Sequence, residues 1–229
     1  MKLFTSTTVL LIFFGTALFE LQAPKNDHDI DDTEITGTVI LSQKNTSRFR
    51  GGLYGRPQAA ISSSASTDSA LVMLLGIGPS DTETNTSPVI LDQKDQRFSP
   101  NLLPVQLNNK VRIRNSDPVY HNVFSLSSTK KFDVGRRPKG EYLDVTFDKP
   151  GIVDVFCDIH SNMHAIIYVL PPNAVRWVKV KSGEAFNLPQ IPPGNYELKI
   201  YANGYEEQVL RIQLDTNEPT DIGTITMNS

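Results

Sequence analysis

A single cysteine in 229 residues excludes any internal disulfide, so the fold must rest on packing, whatever compartment the chain occupies. Four histidines rule out mechanisms built on several imidazole-rich metal centres. There is no basic excess. The 22 Lys+Arg stand against 25 Asp+Glu, for a formal net charge of −3, which argues against a nucleic-acid-binding surface. No apolar run approaches the ~20 residues that cross a bilayer as a helix. Between Pro88 and Pro171 no ten-residue stretch carries a convincing helical period. What is there is ordinary globular composition, 39% apolar and 21% charged, which excludes wholesale disorder, collagen and coiled coil. The length suits two modest domains once a leader is removed.

Residues 1–23 read as that leader. Lys2 supplies a short positive region, Val9 to Phe14 an apolar core, and Gly15 and Ala17 the small residues that a signal peptidase accepts. A cleaved secretory signal is expected, with an uncleaved N-terminal anchor and a buried helix as alternatives. No cysteine follows to take a lipid. The expected location is periplasmic or otherwise extracytoplasmic, with no membrane association after cleavage.

The acidic stretch from Asp27 to Glu34 reads as a tether, and Ile35 to Leu41 alternates like a strand. Residues 42–69 have loop composition with a Ser/Thr/Ala tract inside. Ala70 to Leu75 is a continuous apolar run, short enough for a strand buried on both faces. Short strands then follow one another: Val89–Leu91, Val105–Leu107, Val111–Arg114, His121–Leu126, Tyr142–Phe147, Ile152–Phe156 and Ala165–Leu170. Many short strands punctuated by turns predict an antiparallel sandwich or barrel over residues 89–171. After Pro171-Pro172 a second all-β pattern runs from Val175 to Leu214. Its phrase GEAFNLPQIPPGNYELKIYANGYEEQVLRI resembles carboxypeptidase-regulatory-like domains, which implies a second, smaller β-sandwich. Such domains start with strands like ITGTVIL and ALVMLL, and both lie upstream here. One sandwich over residues 34–88 and 172–229, with the middle block inserted, is therefore expected; a tandem arrangement is the alternative.

The chemistry concentrates at Cys157-Asp158-Ile159-His160-Ser161-Asn162-Met163, directly after an alternating strand. It brings a thiolate, an imidazole and a thioether onto one inter-strand turn. His121 opens another strand upstream. Two imidazoles and a thiolate in a trigonal set, with a weak axial thioether, are what a blue-copper centre requires. Soft sulfur suits Cu(I) and nitrogen suits Cu(II), so a compromise geometry serves both states. A lone buried cysteine is usually just a small hydrophobe, and a Cys/His zinc site is the rival metal reading, though structural zinc favours more cysteines.

The block from Val89 to Leu170 resembles a cupredoxin, and Cys-x2-His-x2-Met resembles the short ligand loop of the amicyanin-like branch. The segments VRIRNSDPVYHNVFSLS, FDVG and VTFDKPGIVDVFCDIHSNMHAIIYV are similar to cupredoxin-like proteins related to methylamine utilisation. The resemblance implies a Greek-key sandwich with one type-1 copper, His121, Cys157 and His160 as equatorial ligands, Met163 as axial ligand, and Asn122 supporting the ligand loops. Ser161 stands where that loop usually has proline. His164 competes with Met163 for the axial place, but adjacent residues at the start of a strand point to opposite faces, which favours Met163.

The expected function is an exported single-electron carrier, not an enzyme. With His121 and His160 committed, His28 and His164 cannot build a second copper centre. The only thiol is a ligand, so no nucleophilic triad remains. A copper-binding carrier module, or a cell-envelope structural protein without redox turnover, is the alternative. The partner is expected to be a redox protein of unknown identity. Arg136, Arg137 and Lys139, with Lys130 and Lys131, read either as a solvated basic hairpin or as its docking patch. Residues 89–170 carry eleven basic and nine acidic side chains.

Overall fold

The computed structural model describes residues 33–42, 68–77, 87–215 and 218–229, and among these every regular element is a β-strand. The leader and the Ser/Thr/Ala tract lie outside them. Among the described residues no helix is long and apolar enough to cross a membrane. Strands β1 (Thr33–Ser42) and β2 (Ser69–Leu75) come first. The middle block holds β3 (Val89–Lys94), β4 (Arg97–Ser99), β5 (Leu102–Val105), β6 (Lys110–Asn115) and β7 (His121–Leu126). It continues with β8 (Lys131–Arg137), β9 (Tyr142–Thr146), β10 (Gly151–Cys157) and β11 (His164–Val169). The last five are β12 (Ala174–Lys181), β13 (Ala185–Ile191), β14 (Gly194–Tyr201), β15 (Gln208–Leu214) and β16 (Thr220–Asn228).

The middle strands form two sheets of their own, ordered β5-β11-β10-β7-β8 and β4-β3-β6-β9. The alternation of β6 and β10 sends Val111, Ile113, Val153, Val155 and Cys157 into one core with Phe147, Ile167 and Val169. Each such aliphatic side chain contributes about 1.5–3 kcal/mol on burial. Strands from both ends of the chain share the other two sheets, β13-β1-β16 and β12-β2-β14-β15. Their core gathers Ile35, Val39, Val72 and Leu74 from upstream with Phe186, Leu198, Ile200 and Met227 from downstream. Gly37 allows the close approach: a Cβ there would lie 2.7 Å from Ile222 Cγ1.

Three elements depart from the sequence reading. The segment Lys131–Arg137, within the expected basic hairpin, is an edge strand, β8, hydrogen-bonded to β7; its charges are what edge strands use to blunt unwanted pairing. The second all-β pattern also continues past Leu214, where the sequence reading ended it. β16 follows and pairs parallel with β1 from Ile35↔Thr220 to Ser42↔Asn228. The middle block also has a strand at Leu102–Val105, parallel to β11, where Val105–Leu107 was expected.

Candidate metal centre

β7 begins where β10 ends. The antiparallel register pairs Phe156 with Phe124 and Cys157 with Val123, which sets the Cys157 end of β10 beside His121 at the start of β7. Residues 158–163 then loop back into β11, and the Met163 N–H donates to the His160 carbonyl at 2.9 Å. That turn carries His160 over the strand ends.

His121 Nδ1 lies 3.7 Å from Cys157 Sγ and 3.1 Å from His160 Nδ1. The two imidazole rings sit 4.7 Å apart, tilted by 54°. One donor atom from each residue falls within 4.8 Å of the other two. An ion with bonds of about 2.0 Å to imidazole nitrogen and about 2.3 Å to thiolate reaches all three atoms from between them, so the donor set fits a bound metal. His121 and Cys157 are buried and His160 is half-buried. Met163 is buried in the same apolar cluster as Cys157.

His164 points the other way. Its Nε2 meets Asp154 Oδ1 at 2.9 Å, and its ring stacks on Phe156 at 4.8 Å, as strand alternation requires of the neighbour of an inward-facing Met163. Asn122 is buried, and its Nδ2 donates to Asp158 Oδ2 at 3.3 Å, joining β7 to the loop after Cys157. Its Oδ1 is buried with no hydrogen-bond partner among the described residues.

The sequence reading missed Asp117, four residues before His121. This buried carboxylate holds His121 Nε2 at 2.7 Å through Oδ2. It also accepts the Asp95 N–H at 2.6 Å and the Gln96 N–H at 2.9 Å. Burial pushes its pKa up, but the Gln96 N–H, the His121 ring and the Asp95 N–H outweigh that and hold the carboxyl below the usual range. The Asp-Pro pair signalled only a turn, and a carboxylate four residues from a candidate histidine was the one available hint.

Register also locates the basic residues. Arg137 is opposite His121 and Arg136 opposite Asn122, whereas Lys131 is opposite Leu126 at the far end of β8. The charges thus divide between the two poles. Arg136 is exposed, while Arg137 donates to the Val134 carbonyl and faces Glu141 at 3.5 Å. Val119 and Tyr120 (59% exposed), just before His121, and Ile159, just before His160, expose apolar surface.

No protein-family model matches the chain, and no curated protein matches it. Among solved structures it is similar to the Cu-containing nitrite reductase NirK from Thermus scotoductus SA-01, at 25% identity over 43% of this chain and 25% of that one, with a TM-score of 0.36. It is also similar to the reduced Cu(I) form of the P52G mutant of amicyanin, at 18% identity over 43% of this chain and 98% of that one (TM-score 0.35). A purple cupredoxin from Nitrosopumilus maritimus matches at 19% identity over 36% of this chain and 99% of that one (TM-score 0.33). The chain spans a quarter of the nitrite reductase chain and nearly the whole of the two cupredoxins.

Proposed function

We propose that this is an exported type-1 copper protein that carries single electrons, with His121, Cys157 and His160 as equatorial ligands and Met163 as the axial one. The observation that carries the reading is the convergence of the Cys157 sulfur and two imidazole nitrogens at 3.7 and 3.1 Å at the strand ends of the sandwich. Copper bound there supplies a one-electron Cu(I)/Cu(II) couple. The chain's own part is to hold the donors still, exclude water around His121, Cys157 and Met163, and leave the His160 edge accessible. A fixed intermediate geometry suits both oxidation states and limits the rearrangement each transfer requires. We further propose that the inserted block is the working domain and that the second sandwich is a carboxypeptidase-regulatory-like support.

Titration of the purified protein with Cu(II) tests the reading. A thiolate-to-copper band on the order of 600 nm is expected at one copper per chain. A colourless protein that takes only Cu(I) would instead be a copper carrier, and a chain that binds no copper would be structural.

The axial assignment has its own test. Met163→Gln is expected to keep copper bound and to lower the reduction potential by roughly 100 mV, because an oxygen donor favours Cu(II) by about two tenfold steps of ~59 mV each. His164→Ala should leave both spectrum and potential in place. Potentiometry that found the larger shift in the His164 variant would reverse the assignment.

The redox partner docks, on this reading, on the apolar rim around His160, steered by Arg136 and Lys139 toward an acidic surface. Arg136→Glu combined with Lys139→Glu should slow bimolecular electron transfer to an acidic acceptor several-fold at low salt. The difference should fade as the Debye length falls to ~8 Å at physiological ionic strength. Stopped-flow rates equal to the parent's at low salt would return both residues to an ordinary solvated surface. Arg137 is left unchanged because its guanidinium is held by Val134 and Glu141.

A further inference from the structure

We propose that Asp117 is the positioning residue that fixes the tautomer of His121 and tunes the metal through it, and that the β3–β4 turn is part of this device. The inference rests on the copper reading for its potentials but not for its first test. A carboxylate accepts and does not donate when ionised, so the 2.7 Å contact with Asp117 Oδ2 requires the proton of His121 on Nε2. That leaves the Nδ1 lone pair facing Cys157 Sγ and His160 Nδ1. With the proton on Nδ1 the ring would turn a lone pair toward the carboxylate, which repels it, and would offer the centre an N–H where a metal needs a lone pair.

Asp117 is itself held on three sides. Its own N–H donates to Asn115 Oδ1 at 2.9 Å. The Asp95 and Gln96 N–H groups fasten its two oxygens, and these residues form the turn between β3 and β4. Both have φ of 54°, a left-handed conformation that non-glycine residues adopt at a cost. The turn donates two N–H groups to one buried carboxylate, which opposes that cost and leaves the carboxylate no freedom to swing away from His121. Asn115 extends the frame: its Nδ2 donates to the carbonyls of Val119 and Arg137, each at 2.8 Å. Three separate segments thereby converge behind one imidazole ring. An anionic acceptor on the distal nitrogen strengthens the ring as a donor, and it favours Cu(II) over Cu(I).

The first test uses apo-protein, with both rings neutral. Nitrogen-15 spectra should show His121 as the Nε2–H tautomer and His160 as the Nδ1–H tautomer, since His121 Nδ1 can then only accept across the 3.1 Å contact. A proton on His121 Nδ1 would overturn the proposal whether or not the protein binds copper. The second test compares the copper-loaded parent with Asp117→Asn, whose amide cannot accept from every donor facing Asp117. Cu(II) affinity should fall roughly ten- to a hundredfold. The fall for Cu(I) should be smaller, and each tenfold difference reads as a rise in potential of about 59 mV. Asp117→Asn with Gln96→Gly, which relieves the left-handed turn residue, separates positioning from folding. A potential still raised once stability has recovered supports the proposal; a potential restored to the parent's value makes Asp117 a turn clamp only. A parent that shows no thiolate band refutes the copper reading, and the tautomer result stands apart from it.

Discussion

Cys157→Ala is expected to abolish the Cu(II)–thiolate absorbance completely while leaving the all-β circular dichroism spectrum in place. The thiolate is the only sulfur anion the chain can offer, since Cys157 is its single cysteine, and the visible band of such a centre belongs to the copper–sulfur bond. The fold should survive because the ligand end of the sandwich core is a small part of a cluster that includes Leu91, Val111, Ile113, Phe147, Val153, Val155, Ile167 and Val169. Losing one buried sulfur should cost about 1 kcal/mol, against a typical total of about 5–15 kcal/mol. Copper that still binds the variant should do so through the two imidazoles, with weak absorbance. Retention of the intense band in Cys157→Ala would assign the colour to another donor and end the type-1 reading. An unfolded apo-parent would make the metal structural and would weaken the case for electron transfer.

What the sequence disclosed depended on how local the signal was. The loop Cys157–Met163 stood out because three side chains of types that can bind metal fall on it, and β10 just before it alternates cleanly. The all-β class was legible from period-two patterning and turn residues between Val89 and Leu170. β2 was legible from its unbroken apolar run, and the structure gives the cause: Val72 and Leu74 face one core while Leu71 and Met73 face another. β16 was not legible, because a mostly exposed strand such as Thr220–Asn228, with Met227 its one fully buried side chain, carries little apolar pattern. β8 was hidden by its own Lys and Arg residues. Asp117 was hidden for a different reason. Its meaning arises only when the Asp95–Gln96 turn and His121 close on the same carboxylate, and the four-residue spacing to His121 hinted at only half of that.

Leu71→Ala is expected to destabilise both sandwiches together, by about 2–5 kcal/mol. Leu71 is fully buried in a third cluster, with Met73, Leu102, Ile166, Tyr168, Leu170 and Tyr201, where the sheet holding β2 packs on the sheet holding β10 and β11. Burial pushes the Tyr168 and Tyr201 phenols up, so both stay protonated, and their rings lie 4.9 Å apart. The chain enters and leaves the middle block through strands that pair with each other. β2 meets β12 from Leu75↔Ala174 to Ser69↔Lys181, and just beyond, the Gly76 N–H donates to the Asn173 carbonyl at 2.9 Å. Asn173 Nδ2 returns a bond to the Gly76 carbonyl at 3.0 Å. Chain ends clamped this closely add little loop-closure cost, and the shared cluster is expected to transmit loss of one sandwich to the other. Unfolding in urea, followed by the copper band and by fluorescence of Trp177, the single tryptophan, should therefore give one midpoint. Leu71→Ala should lower it for both probes. So should Leu74→Ala, although Leu74 faces only the second core. If Leu74→Ala moved the Trp177 transition and left the copper transition untouched, the sandwiches would be independent. The second sandwich would then have no part in holding the sheet that carries His121 and Cys157.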